Sequence, residues 1–425
     1  MNINNITARQ ILDSRGNPTV EAEVWCEGNI FGRASVPSGA STGTHEAHEL
    51  RDKGDAFGGN GVLHAIKNIE TEIKDVLLGV PADDQFKIDE LMIELDGTPN
   101  KSRLGANAIL AVSLAAAHAA ARVRQLPLYK HINDIAEQPP MSIPVPMLNL
   151  LNGGQHALRS ADFQEYMVMP IGVDSYAKAI QIGSEIFQTL KQKLIADGFS
   201  ATVGDEGGFA PTVASNTEML DRLQEACTTA GHTPGETVVF ALDVAASEFF
   251  SSECYRLKTE KRALKPTDMI EYLSIIAKKY PVVSIEDGLA QDDWASWTRL
   301  TEKLPHVQLV GDDLLVTNLE RLEKAIKLKA GNAILIKLNQ IGTLSETIKA
   351  ITTAKAHGWR TIVSHRSGET EDVTIAHLAV GTGADQIKTG SVSRGERTAK
   401  HNELIRIEDS DTELKFAQFT QSHIT

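Results

Sequence analysis

Val238-Val239-Phe240-Ala241-Leu242-Asp243 is an apolar run that stops at an acid, and similar runs ending in a polar residue follow five times downstream. Val282-Val283-Ser284-Ile285 ends at Glu286, and Val307-Gln308-Leu309-Val310-Gly311 ends at Asp312. Ile334-Leu335-Ile336 ends at Lys337, Thr361-Ile362-Val363-Ser364 at His365, and Gln386-Ile387 at Lys388. The intervals between these terminal residues are 43, 26, 25, 28 and 23 residues. The last four intervals each fit one strand, one helix and two loops of a βα unit. The longer first interval leaves room for an excursion over residues 255–267. A single acid in a turn says little, because turns favour Asp. Six polar residues in register at strand ends predict a parallel α/β barrel with its chemistry on one face.

Upstream the pattern changes. Pro139, Pro140, Pro144 and Pro146 fall within eight residues, and proline cannot continue a helix. The boundary is set there, giving an N-terminal domain over 1–136 and a barrel domain over 137–425. A chain of 425 residues also suits two domains. Residues 21–26 alternate like a half-buried strand, and helical patterns cover 61–78 and 84–95, which reads as a small α+β domain. The apolar stretch 106–123 is interrupted by Asn107, Ser113, His118 and Arg122; it is expected to fall short of a membrane span and form a buried helix.

With 42 basic and 56 acidic residues the net charge is −14, which gives no footprint for direct nucleic-acid or anionic-lipid binding. Cys26, Cys227 and Cys254 are scattered thiols that suit a reducing compartment and buried positions. No signal-peptide pattern opens the chain, so the cytoplasm is the expected location, without membrane insertion.

Asp243, Glu286 and Asp312 arriving from adjacent strands would crowd three carboxylates together, and a divalent cation resolves their repulsion. An oxygen-only set favours Mg²⁺, with Mn²⁺ as a substitute. Rim ion pairs are the bland alternative. Lys337 would stand beside that cluster, where a lowered pKa would make it a base. Glu206 in Gly204-Asp205-Glu206-Gly207-Gly208-Phe209 is a candidate acid on a glycine-flanked loop, which an ordinary acidic turn would equally explain. Ser364-His365-Arg366-Ser367-Gly368-Glu369 reads as a phosphate site or as a helix N-cap with a surface arginine. No GxxxxGK[ST] loop or complete dinucleotide fingerprint is present, and His45-Glu46-Ala47-His48 is one residue short of a zinc motif.

Taken together these segments resemble the enolase family. The resemblance rests on Asp13-Ser14-Arg15-Gly16-Asn17-Pro18-Thr19-Val20-Glu21, Pro37-Ser38-Gly39-Ala40-Ser41-Thr42-Gly43, the Gly204-Asp205-Glu206-Gly207-Gly208 loop, Ser284-Ile285-Glu286-Asp287-Gly288, Ile336-Lys337-Leu338-Asn339-Gln340 and Ser364-His365-Arg366-Ser367-Gly368-Glu369-Thr370-Glu371-Asp372. It runs nearly end to end. It implies a smaller N-terminal α+β domain and a C-terminal irregular (β/α)8 TIM-like barrel whose first units depart from regular order, matching residues 142–236. It also implies reversible dehydration of 2-phosphoglycerate to phosphoenolpyruvate with two Mg²⁺ ions. In that scheme Lys337 is the base and Glu206 the acid. Asp243, Glu286 and Asp312 hold the first ion, and Ser41, on a mobile loop, the second. Arg366 and Ser367 hold phosphate, Lys388 the carboxylate, and His365, Gln164 and Glu165 the leaving-group side. His156 belongs to a second closing loop.

The chain departs from the family pattern at Gln155, at Ala157-Leu158-Arg159-Ser160-Ala161-Asp162, and at His48. These leave the metal and acid/base positions intact. The resemblance further implies a homodimer or octamer. By resemblance alone it extends the partners to an RNA-degradation assembly and extracellular host proteins, and the location to a cell-surface or secreted fraction. Two alternatives stand beside it: an acid-sugar dehydratase of the same superfamily, and a non-catalytic scaffold.

Overall fold

The structure, a computed structural model, describes residues 1–39, 43–157 and 160–419, with the side chain of residue 156 outside the description. Ser41, the His156 side chain, Leu158 and Arg159 therefore lie outside the described residues.

The N-terminal sheet is an antiparallel meander of β1 (Ile3–Leu12), β2 (Pro18–Cys26) and β3 (Phe31–Ser35). One face is covered by the helix Ala106–Val123. That helix has a mean hydropathy of 1.4 and is long and apolar enough to cross a membrane, contrary to expectation, yet 83% of its window is buried inside the protein. Its four polar residues fail to lower the mean because alanine dominates the rest. Gly32 permits the close approach: a Cβ there would lie 2.1 Å from the Ala115 carbonyl oxygen and 2.2 Å from Ala119 N. β2 is not a clean half-buried strand, because Glu23 on its polar side is itself buried. Arg33 reaches it at 2.6 Å and Arg9 at 3.0 Å, and these bonds hold its carboxyl down at about 2 against the opposing pull of burial. Helical turns run from Leu63 to Leu77 with a π-helical insert at Ile69–Ile73, followed by the helix Gln85–Asp96.

Eight strands close the barrel. Its first three are β4 (Val145–Asn152), β5 (Glu165–Pro170) and β6 (Val238–Asp243). A small hairpin sheet of β7 (Phe250–Ser251), β8 (Cys254–Leu257) and β9 (Arg262–Leu264) then fills most of the expected excursion. The remaining barrel strands are β10 (Val282–Glu286), β11 (Gln308–Gly311), β12 (Ala333–Ile336), β13 (Arg360–Ser364) and β14 (Gln386–Lys388). Every residue of these eight strands is buried, as expected where helices cover the outside and side chains fill the inside.

The circuit runs β10-β11-β12-β13-β14-β4-β5-β6. All neighbours are parallel except β5, which is antiparallel to both β4 and β6. Two helices, Tyr176–Ala196 and Asn216–Thr229, link β5 to β6, whereas single helices such as Leu319–Leu328 serve the later units. The early part of the barrel is thus irregular, as the resemblance implied. Cys26 and Cys227 are buried; Cys254 is only half-buried because β8 is a solvent-facing hairpin strand.

Candidate active site

The carboxyl ends of the parallel strands bring the expected side chains together. Asp243 closes β6 and pairs in register with Glu286, which closes β10. Asp312 and Lys337 are the first residues beyond β11 and β12, His365 follows β13, and Lys388 ends β14 opposite Ser364. Glu165 reaches the same rim because β5 is reversed: it opens that strand and pairs with both Asn152 and Asp243. A cavity of about 20 Å³ is lined by Gln164, Glu165, Glu206, Asp243, Lys337, Ser364, His365, Arg366, Ser367 and Lys388. Glu286 and Asp312 lie one contact away, through Lys388 and Lys337. A far larger cavity of about 940 Å³ beside the hairpin contains none of these residues, so size alone does not locate the chemistry.

The charges are arranged in two groups. Lys388 Nζ lies 3.1 Å from Glu165 Oε1, 3.1 Å from Asp243 Oδ2 and 2.8 Å from Glu286 Oε2, all buried. Burial works to lower the Lys388 pKa, but those three carboxylates outweigh it and hold the ammonium well above its ordinary value. Lys337 Nζ donates to Asp312 Oδ2 at 2.5 Å, and Gln340 Nε2 donates to Asp312 Oδ1 at 2.8 Å. With these charges burial works to lower Lys337, yet Asp312 and Glu286 outweigh it and raise it above its ordinary value; the depression expected beside a bound dication concerns a different state. Burial, helped by Glu206, pushes the Glu165 carboxyl up, and burial with Asp243 does the same to Glu286. Asp312 goes the other way, because Lys337 outweighs the burial that would raise it.

The carboxylate set suits a hard divalent cation. Glu286 Oε1 and Glu165 Oε2 are buried and make no hydrogen bond among the described residues. Such oxygens are costly to bury unless a cation meets them. A tighter group, Asp287, Asp312 and Asp313, has oxygens within 4.8 Å of one another. Asp287, however, already accepts the backbone N–H of Asp312 at 3.0 Å and of Asp313 at 2.7 Å. Both its oxygens are spent on shaping the turn after β11, which leaves Asp243, Glu286 and Asp312 as the better donor set.

Glu206 sits on the turn between the two helices that follow β5. Its Oε2 accepts from Asn149 Nδ2 at 2.9 Å, and its carbonyl oxygen accepts from Ser391 N at 2.9 Å. Gly207 has φ +88°, and a Cβ there would lie 2.7 Å from the Ser393 carbonyl oxygen, so the sharp turn needs glycine. The segment after β13 is not a helix cap: the next helix, Thr374–Gly381, starts later, behind Val373. Arg366 is buried rather than on the surface, and Glu46 from the N-terminal domain accepts its Nη1 at 2.9 Å and Nη2 at 3.3 Å. Arg15 Nη1 reaches Ser367 Oγ at 3.4 Å from the same domain.

Four residues escaped the sequence reading. Glu46 lies inside the string dismissed as a broken zinc motif; its nearness to the glycine-rich loop was the available signal. Asn149 is hidden in the uniformly buried β4. Asp287, next to Glu286, resembles any turn acid. Arg397, in the first turn of the helix Gly395–Ser410, donates Nη1 to the Arg366 carbonyl oxygen and Nη2 to those of Asp205 and Ser367, at 2.6, 2.9 and 2.6 Å.

Comparison with known families matches residues 3–132 to the enolase N-terminal domain and residues 140–422 to the enolase C-terminal TIM barrel domain. The two matches cover nearly the whole chain and divide between the helix Leu128–Ile135 and β4. The strand ends, the reversed β5 and the carboxylate rim therefore have one explanation: the chain belongs to the enolase family.

Proposed function

We propose that this protein is a phosphopyruvate hydratase, a carbon–oxygen lyase that converts 2-phospho-D-glycerate reversibly to phosphoenolpyruvate and water. The observation that carries the reading is the single cavity bordered by a lysine, a carboxylate on a glycine turn, and the Arg366–Ser367 pair. Lys337 Nζ takes the C2 proton, the electron pair forms the C2–C3 double bond, and the C3 hydroxide leaves as water with a proton from Glu206. A base and an acid on different segments keep the two proton transfers separate. Arg366 and Ser367 hold the phosphate. Lys388 holds the carboxylate, and Gln164, Glu165 and His365 face the leaving oxygen.

Asp243, Glu286 and Asp312 would hold Mg²⁺, which when bound would supply positive charge to the substrate carboxylate. Ser41, the expected contact for a second ion, lies outside the described residues. Arg366 and Ser367 both line the cavity, a cation and a hydroxyl that suit a phosphate better than the hydroxyls of an acid sugar, which favours the phosphorylated substrate. The reading takes the cytoplasm as its setting and a homodimer or octamer as its assembly.

The test follows ultraviolet absorbance of the conjugated product, with Mg²⁺ and again with excess EDTA. Metal-dependent formation of phosphoenolpyruvate supports the proposal, and Lys337→Ala is expected to abolish it while the fold persists. A folded, metal-loaded sample without turnover would remove it and favour a scaffold role.

A further inference from the structure

Arg397 is fully buried in the first turn of the last helix, and its guanidinium faces the back of His365. Its Nη1 lies 2.7 Å from His365 Nδ1. An arginine carries only donors and does not give up its proton in proteins, so the imidazole nitrogen it faces must present a lone pair. The other three Nη hydrogens are already placed on the carbonyl oxygens of Arg366, Ser367 and Asp205. The guanidinium therefore has no slack to turn away.

We propose that Arg397 is a positioning residue that holds His365 as the neutral Nε2–H tautomer, so that His365 offers the leaving oxygen a hydrogen bond and never a competing proton. The inference rests on the dehydration reading above. His365 Nε2 is buried, makes no regular hydrogen bond among the described residues, and stands 3.5 Å from Glu206 Oε2. A donor and a carboxylate this close on the wall of one cavity can both reach an oxygen that lies beside them. An imidazolium there would contend with Glu206 as the acid; the neutral ring leaves that role to Glu206.

The charged and titratable groups around the ring agree with this state. Glu206 faces it from the glycine turn, Glu369 from its own segment, and Arg397 and His401 from the last helix, with Lys400 paired to Glu369 at 2.9 Å. Burial, with Arg397 adding to it, pulls His365 down to about 4, although Glu206 and Glu369 pull upward. Arg397 thus excludes the second proton both by geometry and by charge.

The test is a long-range proton–nitrogen correlation spectrum of protein labelled with ¹⁵N-histidine, assigned by comparison with His365→Gln. An unprotonated Nδ1 and a protonated Nε2, constant between pH 5.5 and 8, are expected. A proton on Nδ1 at pH 7, in either the other tautomer or the imidazolium, would overturn the inference. Arg397→Met supplies the kinetic arm. Burial still holds His365 down in this variant, but without the guanidinium its pKa should rise and Nδ1 can take a proton, so at pH 5.5 kcat should fall below its plateau. The wild type should show no such drop from this group, and Arg397→Lys should restore part of the tautomer signal. A variant that loses turnover equally at every pH with its His365 spectrum unchanged would mark Arg397 as merely structural and refute the idea. If Arg397→Met does not fold, the wild-type spectrum still decides. That spectrum needs no substrate, so a correct tautomer in a protein that fails to turn over phosphoglycerate would sink the activity and spare the tautomer.

Discussion

Asp89→Asn tests the join between the two domains. Asp89 lies on the helix Gln85–Asp96 and is completely buried. One oxygen accepts Gln85 Nε2 at 3.0 Å; the other accepts Ser345 N, in the first turn of the barrel helix Leu344–Ala356, at 2.9 Å. Ser113 adds a link, its Oγ accepting Leu344 N at 3.0 Å. Burial pushes the Asp89 carboxyl from 3.8 up to about 6 despite these donors. Between those two pH values the folded chain keeps a proton that the unfolded chain has lost, so stability falls as pH rises through the window. The shift of roughly two units corresponds to about 3 kcal/mol, fully felt above pH 6. Asparagine stays neutral throughout. The stability difference between variant and wild type, measured by urea unfolding with circular dichroism at several pH values, should therefore move by about 3 kcal/mol in favour of the variant between pH 4 and 7. A difference that is flat with pH, or that moves toward the wild type, would refute the reasoning.

Gly32→Ala drives a Cβ into the backbone of the helix Ala106–Val123 and should cost about 3 kcal/mol or more, read as a lowered thermal midpoint; a change below about 0.5 would contradict the contact. Glu46→Gln keeps the shape of the clasp on Arg366 but removes its charge. Its expected effect is about a tenfold or greater loss in kcat/KM for the phosphorylated substrate at unchanged folding, checked by steady-state kinetics. Glu206→Gln should slow dehydration by about 100-fold or more. It should leave exchange of the C2 hydrogen with deuterated solvent running on Lys337, so equal loss of both reactions would contradict the separate acid and base.

The barrel was legible because each regular unit repeats a signature within about 25 residues: an apolar run, a polar stop, a helix. Asp243, Glu286, Asp312, Lys337, His365 and Lys388 could be read off without a partner in view, since strand geometry alone sends the residue at the stop to the rim. Glu165 was reached by family likeness, because a buried strand of six apolar-rich residues reads the same in either direction. The clasp of Glu46 on Arg366 spans 320 positions and two domains. No local periodicity encodes such a pair. The same holds for Arg397, whose four acceptors are three carbonyl groups and an imidazole nitrogen, groups that almost any sequence supplies. Lys337 shows a further limit: its place on the rim was legible, whereas its charge state depends on which charged groups lie nearest.

The reversal of β5 has a consequence for where the proposed acid comes from. A strand that runs toward the rim needs one helix to return, but β5 leaves the rim, so the chain must climb back along Tyr176–Ala196 before descending along Asn216–Thr229. The bend between the ascending and descending helices is thereby delivered to the reactive end, and Glu206 occupies that bend. Had β5 kept the common direction, an odd number of crossings would follow and the bend would lie at the far end of the barrel. Half of the proposed chemistry, the cation set and Lys337, is a product of repetition; the other half, Glu165 and Glu206, is a product of parity.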